Sequence, residues 1–403
     1  MKVITDSQKI KEVLSKGIEE IIEKKSLLKK LKSGRKLRIK HGIDPTGPKI
    51  HLGRAWQFLK LKAFQELGHQ IVLIIGDFTA QIGDASDKKA MRRVLSEKEV
   101  KENMKDYSRQ ISKILDMNKV ELHYNSEWLN KLSARDLIKL SMKFTAQQMI
   151  QRRNFKERWN EEKAIGLHEL SYPLFQGYDS VAVRADIEIG GSDQLFNLIV
   201  GREIQKMFGQ EPQDIITLKM LPGLDGRKMS TSWGNIVTIV DEPREMYGKI
   251  MSIKDELIPI YFELCTPLST KEIKEIGRSL EDKKVNPRDL KAKLAREIVA
   301  LYYGKRVAEG AEKEFNKVFK EKGIPKEIPV FRASQKKYLL PDLLFKTKLV
   351  SSKGEAKRII SQKGVKINGK TITNWKMKIE IREGMIIQVG KRKFIKINIK
   401  NKK

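Results

Sequence analysis

The sequence predicts an α/β protein with a Rossmann-like, doubly wound parallel sheet, followed by an α-helical domain and a small α+β domain. Between residues 37 and 221, short apolar segments typical of strands alternate with helical segments, which favours parallel strands joined by helices. Residues 250–322 have a helical pattern throughout. Residues 341–403 alternate in short strands, with turn signals at Asn368-Gly369 and Glu383-Gly384.

Each element of the sheet domain has its own pattern. Apolar residues at helical spacing predict a basic amphipathic helix over 8–32: Ile10, Val13, Leu14, Ile18, Ile21 and Ile22. Strands are predicted at 37–44, 70–78, 120–125, 183–194 and 214–221, the fourth running into a glycine turn. Further helices are predicted at 51–67 and 195–208, with helical stretches up to about 164. The strand over 70–78 is almost continuously apolar, as expected for a strand buried on both faces.

These patterns divide the chain into domains. We predict a nucleotide-binding domain over 1–250 with an insertion at about 120–165, a helical domain over 251–325, a linker over 326–340 and a small domain over 341–403. The small domain holds 18 basic and 4 acidic residues, so it concentrates nearly half of the formal charge of +31. Such a local excess predicts a polyanionic partner, and RNA is the candidate.

Composition also excludes several classes of protein. The single cysteine, Cys265, rules out an intramolecular disulfide and a cysteine-based metal cluster, which favours a reducing cytoplasm. The N-terminus lacks the apolar stretch of a signal peptide, and the apolar runs are far too short to span a bilayer. We therefore expect a cytoplasmic protein with no membrane partner.

Three polar strings follow predicted strands, where ligands bind in such sheets. HLGR (51–54) opens a helix, so His51 lies where phosphates are stabilised, and Gly53 lets a ring approach the backbone. GGSDQ (190–194) combines close backbone approach with an acidic residue suited to ribose hydroxyls, and KMSTS (228–232) lies on a glycine-rich loop able to close over phosphates. Read alone, each string also fits a simpler structure: a capping histidine, a β-turn or an exposed loop.

A fourth set lies on one predicted helix. Spacings of four and three place Tyr172, Gln176 and Asp179 on the same face. Polar groups aligned within an apolar stretch need a partner, which a substrate with an ammonium and a phenol would supply. A buried structural hydrogen-bond network is the alternative.

These motifs, in this order, resemble one enzyme family. HLGR and KMSTS are similar to the HIGH and KMSKS motifs of class I aminoacyl-tRNA synthetases. Together with GIDPTGPKIHLG (42–53), GGSDQ and the Tyr172 set, they resemble bacterial tyrosyl-tRNA synthetases over essentially the whole chain. The segment 349–370 resembles an S4-type RNA-binding domain.

The resemblance implies an activity and its residues. Such enzymes activate tyrosine with ATP, accompanied by Mg²⁺ but with no protein metal site, and transfer it from the adenylate to the 3′ end of tRNA(Tyr). The implied catalytic residues are Thr46, His51, Arg54, Lys228 and Thr231. The implied ATP-binding residues are Asp44, Gly53, Gly191, Asp193, Lys228, Met229, Ser230 and Ser232. Tyrosine would contact Asp84, Tyr172, Gln176, Asp179 and Gln194, with Asp179 on the phenol, and RNA would contact Lys353, Lys357 and Arg358.

The resemblance also implies a homodimer, with the contact near 141–155, and a helical domain that faces the anticodon. Three positions depart from the family pattern: Arg54 replaces a histidine, Thr231 replaces a lysine, and Lys40 stands where many relatives have a tyrosine. Arg227 is a candidate to replace the charge missing at Thr231. Two other hypotheses remain: a non-catalytic RNA-binding synthetase paralogue, and a tryptophanyl-tRNA synthetase.

Overall fold

The computed structural model describes residues 2–84, 94–282, 285–320, 328–390 and 393–399. The chain divides between residues 305 and 306 into two compact units. This division lies inside the range predicted as a helical domain. Among the described residues, no helix has the length and apolar character needed to cross a bilayer.

The first unit is built on a six-stranded sheet in the spatial order β1-β6-β5-β2-β3-β4. Its strands are β1 (Ile18–Ile22), β2 (Arg38–Ile43), β3 (Gln70–Ile75), β4 (Val120–Tyr124), β5 (Ile187–Gly191) and β6 (Asp214–Leu218). The five predicted strands, β2 to β6, are all parallel, so the predicted sheet is confirmed. The chain builds outward from β2 in one direction through β3 and β4, then in the other through β5 and β6, which is the doubly wound arrangement.

Helices cover both faces of this sheet domain and complete the first unit. They are α1 (Ser7–Val13), α2 (Lys24–Lys32), α3 (Leu52–Glu66), α4 (Thr79–Ile82), α5 (Glu97–Met104), α6 (Tyr107–Ile111), α7 (Ser126–Leu129), α8 (Ala134–Ser141), α9 (Ala146–Ile150), α10 (Arg153–Asn160), α11 (Leu167–Ala182), α12 (Leu195–Met207), α13 (Pro243–Ile250), α14 (Ile258–Cys265), α15 (Thr270–Glu281) and α16 (Pro287–Tyr303). The predicted helices at 51–67 and 195–208 correspond to α3 and α12.

The single helix predicted over 8–32 is wrong. The segment forms α1, then β1, then α2, because Gly17 interrupts the helix with a φ of +65°. Residues 18–22 instead pair antiparallel with β6, where Ile21 lies opposite Ile216. The apolar spacing fits both a helix and a half-buried edge strand. Backbone pairing with β6 at the edge of the sheet favours the strand.

Helices α11 and α12 pack closely because small residues face each other. A Cβ atom on Gly177 would lie 3.2 Å from the Cα of Gly201 and 2.7 Å from the Cδ1 of Ile204. This contact fixes α11, which carries Tyr172, Gln176 and Asp179, against α12.

Among the described residues, the second unit contains all of α17 (Lys305–Lys320) after its first residue, together with α18 (Leu340–Lys346), α19 (Lys353–Ser361) and seven strands. The strands are β7 (Val330–Ala333), β8 (Lys337–Leu339), β9 (Val365–Ile367), β10 (Lys370–Ile372), β11 (Lys378–Glu380), β12 (Met385–Val389) and β13 (Lys393–Ile399). They form sheets in the orders β10-β9-β12-β13-β7 and β11-β8, so β7 and β8 lie within the range predicted as a linker. The predicted turn at Asn368-Gly369 joins β9 to β10, and both residues have positive φ, as a two-residue hairpin requires.

We predict that Gly17→Ala lowers the free energy of unfolding by about 3 kcal/mol, for two reasons. Alanine is unfavourable in the left-handed backbone conformation, and its Cβ would clash with neighbouring side chains. A Cβ there would lie 2.7 Å from both Leu264 and Trp56. Gly34→Ala is the control, because Gly34 has a φ of +75° but no atom near its Cβ position; it should cost only about 1 kcal/mol. Urea unfolding followed by tryptophan fluorescence measures both, and equal losses would contradict the packing argument.

Candidate active site

A cavity of about 570 Å³ lies at the carboxyl edge of the parallel sheet. The lining contains almost every residue predicted for catalysis, nucleotide binding or amino-acid binding: Asp44, Thr46, His51, Gly53, Arg54, Asp84, Tyr172, Gln176, Asp179, Gly191, Asp193, Gln194, Lys228, Met229, Ser230 and Thr231. Ser232 is not among the lining residues, and its side chain is outside the described part of the structure. The structure therefore brings together motifs that are far apart in the sequence.

The HLGR and KMSTS motifs touch each other. His51 precedes the first residue of α3, and a Cβ on Gly53 would lie 3.1 Å from the His51 Nδ1 and 3.5 Å from the Met229 Sδ. Within the described part of the chain, the buried Nδ1 of His51 has no hydrogen-bond partner. Burial, together with Arg54 and Lys228, lowers the pKa of His51 to about 3, so the imidazole is neutral. A neutral imidazole acts here as a hydrogen-bond donor or acceptor and carries no fixed charge.

Arg54 holds the loop that follows β2. Its guanidinium donates to the carbonyl oxygen of Asp44 at 2.8 Å and to the Oγ1 of Thr46 at 2.9 Å. Tyr107 donates to the carbonyl oxygen of Gly47 at 2.6 Å, and its hydroxyl oxygen accepts from Arg54 at 3.3 Å. Arg54 lines the cavity, as predicted. Its guanidinium, however, donates to the loop after β2.

The KMSTS loop is held by its neighbour Asn235. The Oδ1 of Asn235 accepts from the backbone N–H of Ser230 at 2.9 Å, and its Nδ2 donates to the carbonyl oxygen of Lys228 at 3.0 Å. Lys228 in turn donates to the Oδ2 of Asp193 at 2.9 Å, linking this loop to the end of β5. Arg227 points elsewhere: it pairs with Asp225 and stacks on Trp233 at 4.8 Å from the ring centroid.

One end of the cavity is built around Asp179. Its Oδ1 accepts from the indole of Trp128 at 2.7 Å, and its Oδ2 accepts from the Nδ2 of Asn125 at 3.3 Å. Asn125 also donates to the Oγ1 of Thr79 at 3.0 Å. Burial raises the pKa of Asp179 to about 7, although Lys40 opposes that rise. The carboxyl is thus oriented by two donors and poised to receive a third.

Asp44 connects this region with the loop after β2. Its Oδ1 accepts from Thr79 at 2.7 Å, and its Oδ2 accepts from the Tyr172 hydroxyl at 3.0 Å. Burial raises the pKa of Asp44 to about 6, against the effect of these two hydrogen bonds. Glycine is required at position 76, since a Cβ there would lie 2.0 Å from the Asp44 Oδ1.

Asp84 and the amides beside it form another polar wall. The Oδ1 of Asp84 accepts from Arg152 at 2.8 Å, and its Oδ2 accepts from the Nε2 of Gln194 at 2.7 Å. Asn197 donates to the Oε1 atoms of both Gln194 and Gln176, at 2.8 and 2.9 Å. Gln176 donates from its Nε2 to the Oε1 of Glu188 at 3.3 Å.

Sequence analysis missed several residues that orient this site: Thr79, Asn125, Trp128, Arg152, Glu188 and Asn197. Glu188 gave the clearest signal, since it is a carboxylate in the middle of a buried strand and a buried charge requires a partner. Trp128, Asn125 and Arg152 gave none, because only the tertiary fold brings them to the predicted carboxylates.

The predicted RNA-binding residues lie on α19 in the second unit. Lys353 pairs with Asp342 at 2.7 Å, and the Lys357 ammonium lies 4.6 Å from the centroid of the Trp375 ring. Arg358 is exposed. Apolar residues from α18, α19 and the strands form the core beneath them.

Comparison with known proteins identifies the family. A model described as tRNA synthetases class I (W and Y) matches residues 32–320, and one described as the Tyrosine--tRNA ligase SYY-like C-terminal domain matches residues 320–397. The chain is 46% identical over 396 residues to the Tyrosine--tRNA ligase of Thermotoga maritima, with 98% of each chain covered. It is 47% identical over 397 residues to that of Carboxydothermus hydrogenoformans, covering 96% of this chain and 97% of the relative.

Solved structures share the fold. The C-terminally truncated mitochondrial tyrosyl-tRNA synthetase of Aspergillus nidulans superposes with a TM-score of 0.63 at 20% identity, covering 77% of this chain and 94% of that one. The tyrosyl-tRNA synthetase of Archaeoglobus fulgidus, complexed with L-tyrosine, gives 0.60 at 22% identity, covering 76% and 99%. The predicted fold class is confirmed by these neighbours. The family models over both parts of the chain and the relatives of 46% and 47% identity show that the chain belongs to the class I aminoacyl-tRNA synthetases, in the tyrosine--tRNA ligase family.

Proposed function

We propose that this chain activates L-tyrosine with ATP to tyrosyl-adenylate and transfers the tyrosyl group to the 3′ end of tRNA(Tyr). One observation carries the proposal: a single cavity joins an oriented, buried carboxyl at Asp179 to the HLGR and KMSTS motifs. A tyrosine bound with its phenol at Asp179 would extend toward a nucleotide held by these motifs.

Asp179 is suited to select the phenol. Trp128 and Asn125 fix its carboxyl group, so a substrate hydroxyl can donate into a preset acceptor. Phenylalanine would leave this buried group without that hydrogen bond, and such sites reject the analogue strongly. Tyrosyl-tRNA synthetases are themselves the standard example of this discrimination, so its expected size is a known property of the enzyme class.

The amino group of tyrosine would lie among acceptors at the other wall. Asp84 supplies a carboxylate, and Gln176 supplies a carbonyl oxygen, which has two lone pairs. Tyr172 directs its hydrogen to Asp44, which orients its oxygen as an acceptor. Gln194 lies beside Asp84, near the position proposed for the substrate carboxylate.

The first chemical step joins this carboxylate to the α-phosphorus of ATP, and pyrophosphate leaves. His51 and Thr46 would donate to the phosphates, and Lys228 would bind the leaving pyrophosphate, exchanging its bond to Asp193 for one to the phosphate oxygens. Asp193 and Gly191 would hold the ribose. In the second step a terminal tRNA hydroxyl attacks the tyrosyl carbonyl carbon, its proton is lost, and AMP leaves.

Mg²⁺ is proposed to enter with ATP, bound to the phosphate oxygens and neutralising the charge that develops there. Among the described residues, no group of three His, Cys, Asp or Glu side chains is arranged to hold a metal ion. The residues proposed to contact the phosphates, His51, Thr46 and Lys228, are hydrogen-bond donors, as expected for a nucleotide that brings its own cation.

The tRNA would be bound through its phosphates by basic residues. Lys353, Lys357 and Arg358 lie on one helix of a unit that carries a strong positive excess. The helical domain predicted over 251–325 is the proposed anticodon-facing part. We place the reaction in the cytoplasm, with tRNA and ATP as its substrates.

A homodimer is proposed from the distribution of exposed apolar side chains. Four of them fall between residues 138 and 167, in or beside the predicted dimer-contact insertion: Ile138, Met142, Trp159 and Leu167. Concentrations of this kind are typical of protein interfaces. A tryptophanyl-tRNA synthetase and a non-catalytic paralogue are less favoured, because the relatives are tyrosine--tRNA ligases and the amino-acid cavity is complete in its predicted residues.

Asp179→Asn should reduce kcat/KM for tyrosine by roughly 30- to 100-fold, the cost of one hydrogen bond to a charged group. The value for phenylalanine should change far less, because its ring offers no hydroxyl. ATP–pyrophosphate exchange with each amino acid measures both values. Asp116→Asn, which alters an exposed carboxylate before β4, should leave them unchanged; equal losses for the two amino acids would contradict the role of Asp179.

Thr231→Lys should accelerate tyrosyl-adenylate formation about tenfold, because a charged donor stabilises the leaving phosphates better than a hydroxyl does. Because Arg227 is engaged with Asp225 and Trp233, we do not expect it to replace this charge. Single-turnover measurements give the rate, and Thr270→Lys adds the same charge at an exposed site as a control. An unchanged rate in Thr231→Lys would show that no charge is missing.

Leu167→Asp should dissociate the proposed dimer, since Leu167 is 82% exposed and a buried aspartate without a partner is unfavourable. Sedimentation velocity should give twice the 46.5 kDa chain mass for the wild type and one chain mass for the variant. Val307→Asp, at an exposed valine of the second unit, is the matched control and should behave as the wild type. A wild-type protein of one chain mass would overturn the proposal.

A further inference from the structure

We propose that Lys40 and Glu188 act as positioning residues that fix the side-chain amide of Gln176, so that its carbonyl oxygen faces the α-ammonium of tyrosine. This inference rests on the proposed function and deepens it. The two residues are register partners on the parallel strands β2 and β5, and their side chains form an ion pair at 2.9 Å. Lys40 does not line the cavity, so it would act through Glu188.

The ion pair is buried and almost completely hydrogen-bonded. The Lys40 and Glu188 side chains are 0% and 1% exposed. Lys40 uses its three ammonium hydrogens on Glu188, on the backbone carbonyl oxygen of Gln176 at 2.8 Å and on the Ser180 Oγ at 2.7 Å. The second carboxylate oxygen of Glu188 accepts from Ser180 at 3.1 Å and from Gln213. A buried carboxylate with all its sites filled cannot rotate freely, and Lys40 is its counter-ion.

An anionic carboxylate can only accept hydrogen bonds. Glu188 therefore accepts from the amide nitrogen of Gln176 and excludes the reversed amide, which would place two oxygen acceptors together. The Oε1 of Gln176 consequently faces away from Glu188, where it accepts from Asn197 and has a second lone pair for the substrate. Without a charged partner, the two ends of such an amide could exchange at little cost.

On the opposite side of the site, a second glutamine amide is also oriented by a carboxylate in a buried ion pair. Gln194 directs its nitrogen to Asp84, which is paired with Arg152, and its carbonyl oxygen accepts from Asn197. Asn197 thus donates to both glutamine oxygens, while its own buried Oδ1 has no partner among the described residues. The carboxylates orient the two glutamine amides, and these in turn determine the orientation of the Asn197 amide. Two buried ion pairs therefore hold two amides with their carbonyl oxygens directed at Asn197.

The test separates the amino end of the substrate from the phenol end. Glu188→Gln keeps the shape but can present either amide end to Gln176. We expect its KM for tyrosine in ATP–pyrophosphate exchange to rise about tenfold, as for one hydrogen bond to a charged group, with a much smaller change in kcat. The inhibition constant of 3-(4-hydroxyphenyl)propanoate, which is tyrosine without its amino group, should remain within about twofold of the wild-type value, because this ligand has no ammonium for Gln176. A merely structural defect would weaken both ligands alike.

Lys40→Met should shift tyrosine binding in the same direction and also lower the thermal stability, because it leaves Glu188 without its counter-ion. The double variant Lys40→Met/Glu188→Gln should recover stability while the KM for tyrosine stays high. Lys30→Met removes one cationic partner of the buried Asp214 on β6, away from the cavity, and is the control, with an unchanged KM. If Lys40→Met does not fold, Glu188→Gln alone decides the question.

Two outcomes are informative against the inference. An unchanged KM for tyrosine in Glu188→Gln, or equal weakening of tyrosine and the propanoate, would overturn it while leaving the proposed function intact. A wild-type protein that shows no exchange with tyrosine would instead overturn the proposed function.

Discussion

The site depends on the point where β2 and β5 separate. Their ladder contains only two register pairs, Ile39 with Ile187 and Lys40 with Glu188, whereas β2 and β3 pair along six residues. Beyond Lys40 and Glu188 the strands part, and the loops that follow them lead to opposite faces of the sheet. The cavity opens in this gap. His41 bridges its base, with its Nδ1 2.8 Å from the carbonyl oxygen of Ile189.

The position of the ion pair gives it two effects. As the last rung of the ladder, it joins the strands with a cross-strand charge interaction where backbone pairing ends. The ion pair also lies beside Gln176 and Asp179, and its lysine opposes the rise in the Asp179 pKa that burial produces. The end of the β2–β5 ladder at Lys40 and Glu188 therefore has two consequences. It opens the cavity, and it orients polar groups in the cavity wall.

Sequence reasoning located this site because its residues belong to short motifs with a fixed relation to strand ends. Asp44, Gly191 and Lys228 could each be placed beyond a predicted strand, and Tyr172, Gln176 and Asp179 on one helix face. The N-terminal segment was mispredicted, since its apolar residues fit a helix as well as an edge strand and only pairing with β6 distinguishes them. Contacts such as that of Trp128 with Asp179 depend on how distant elements pack, which no local spacing encodes. The direction of Arg54 also could not be predicted, because a long side chain reaches several acceptors from one backbone position.

The two departures from the family motifs meet at one loop. Arg54 donates to the carbonyl oxygen of Asp44 and to Thr46, and the Oγ1 of Thr231 lies 3.9 Å from the Cβ position of Gly47. Where the motifs usually have a histidine and a lysine, this chain has an arginine and a threonine, so one permanent positive charge beside residues 44–47 is kept. The position of this charge differs from that in the family motifs. A lysine on the KMSTS loop would move with that loop, whereas Arg54 is fixed by hydrogen bonds to the loop that follows β2. Under the proposed function, a fixed cation would stabilise bound ATP and the transition state more equally, whereas catalysis of the chemical step requires a preference for the latter. We therefore expect the exchange to favour nucleotide binding over acceleration of adenylate formation.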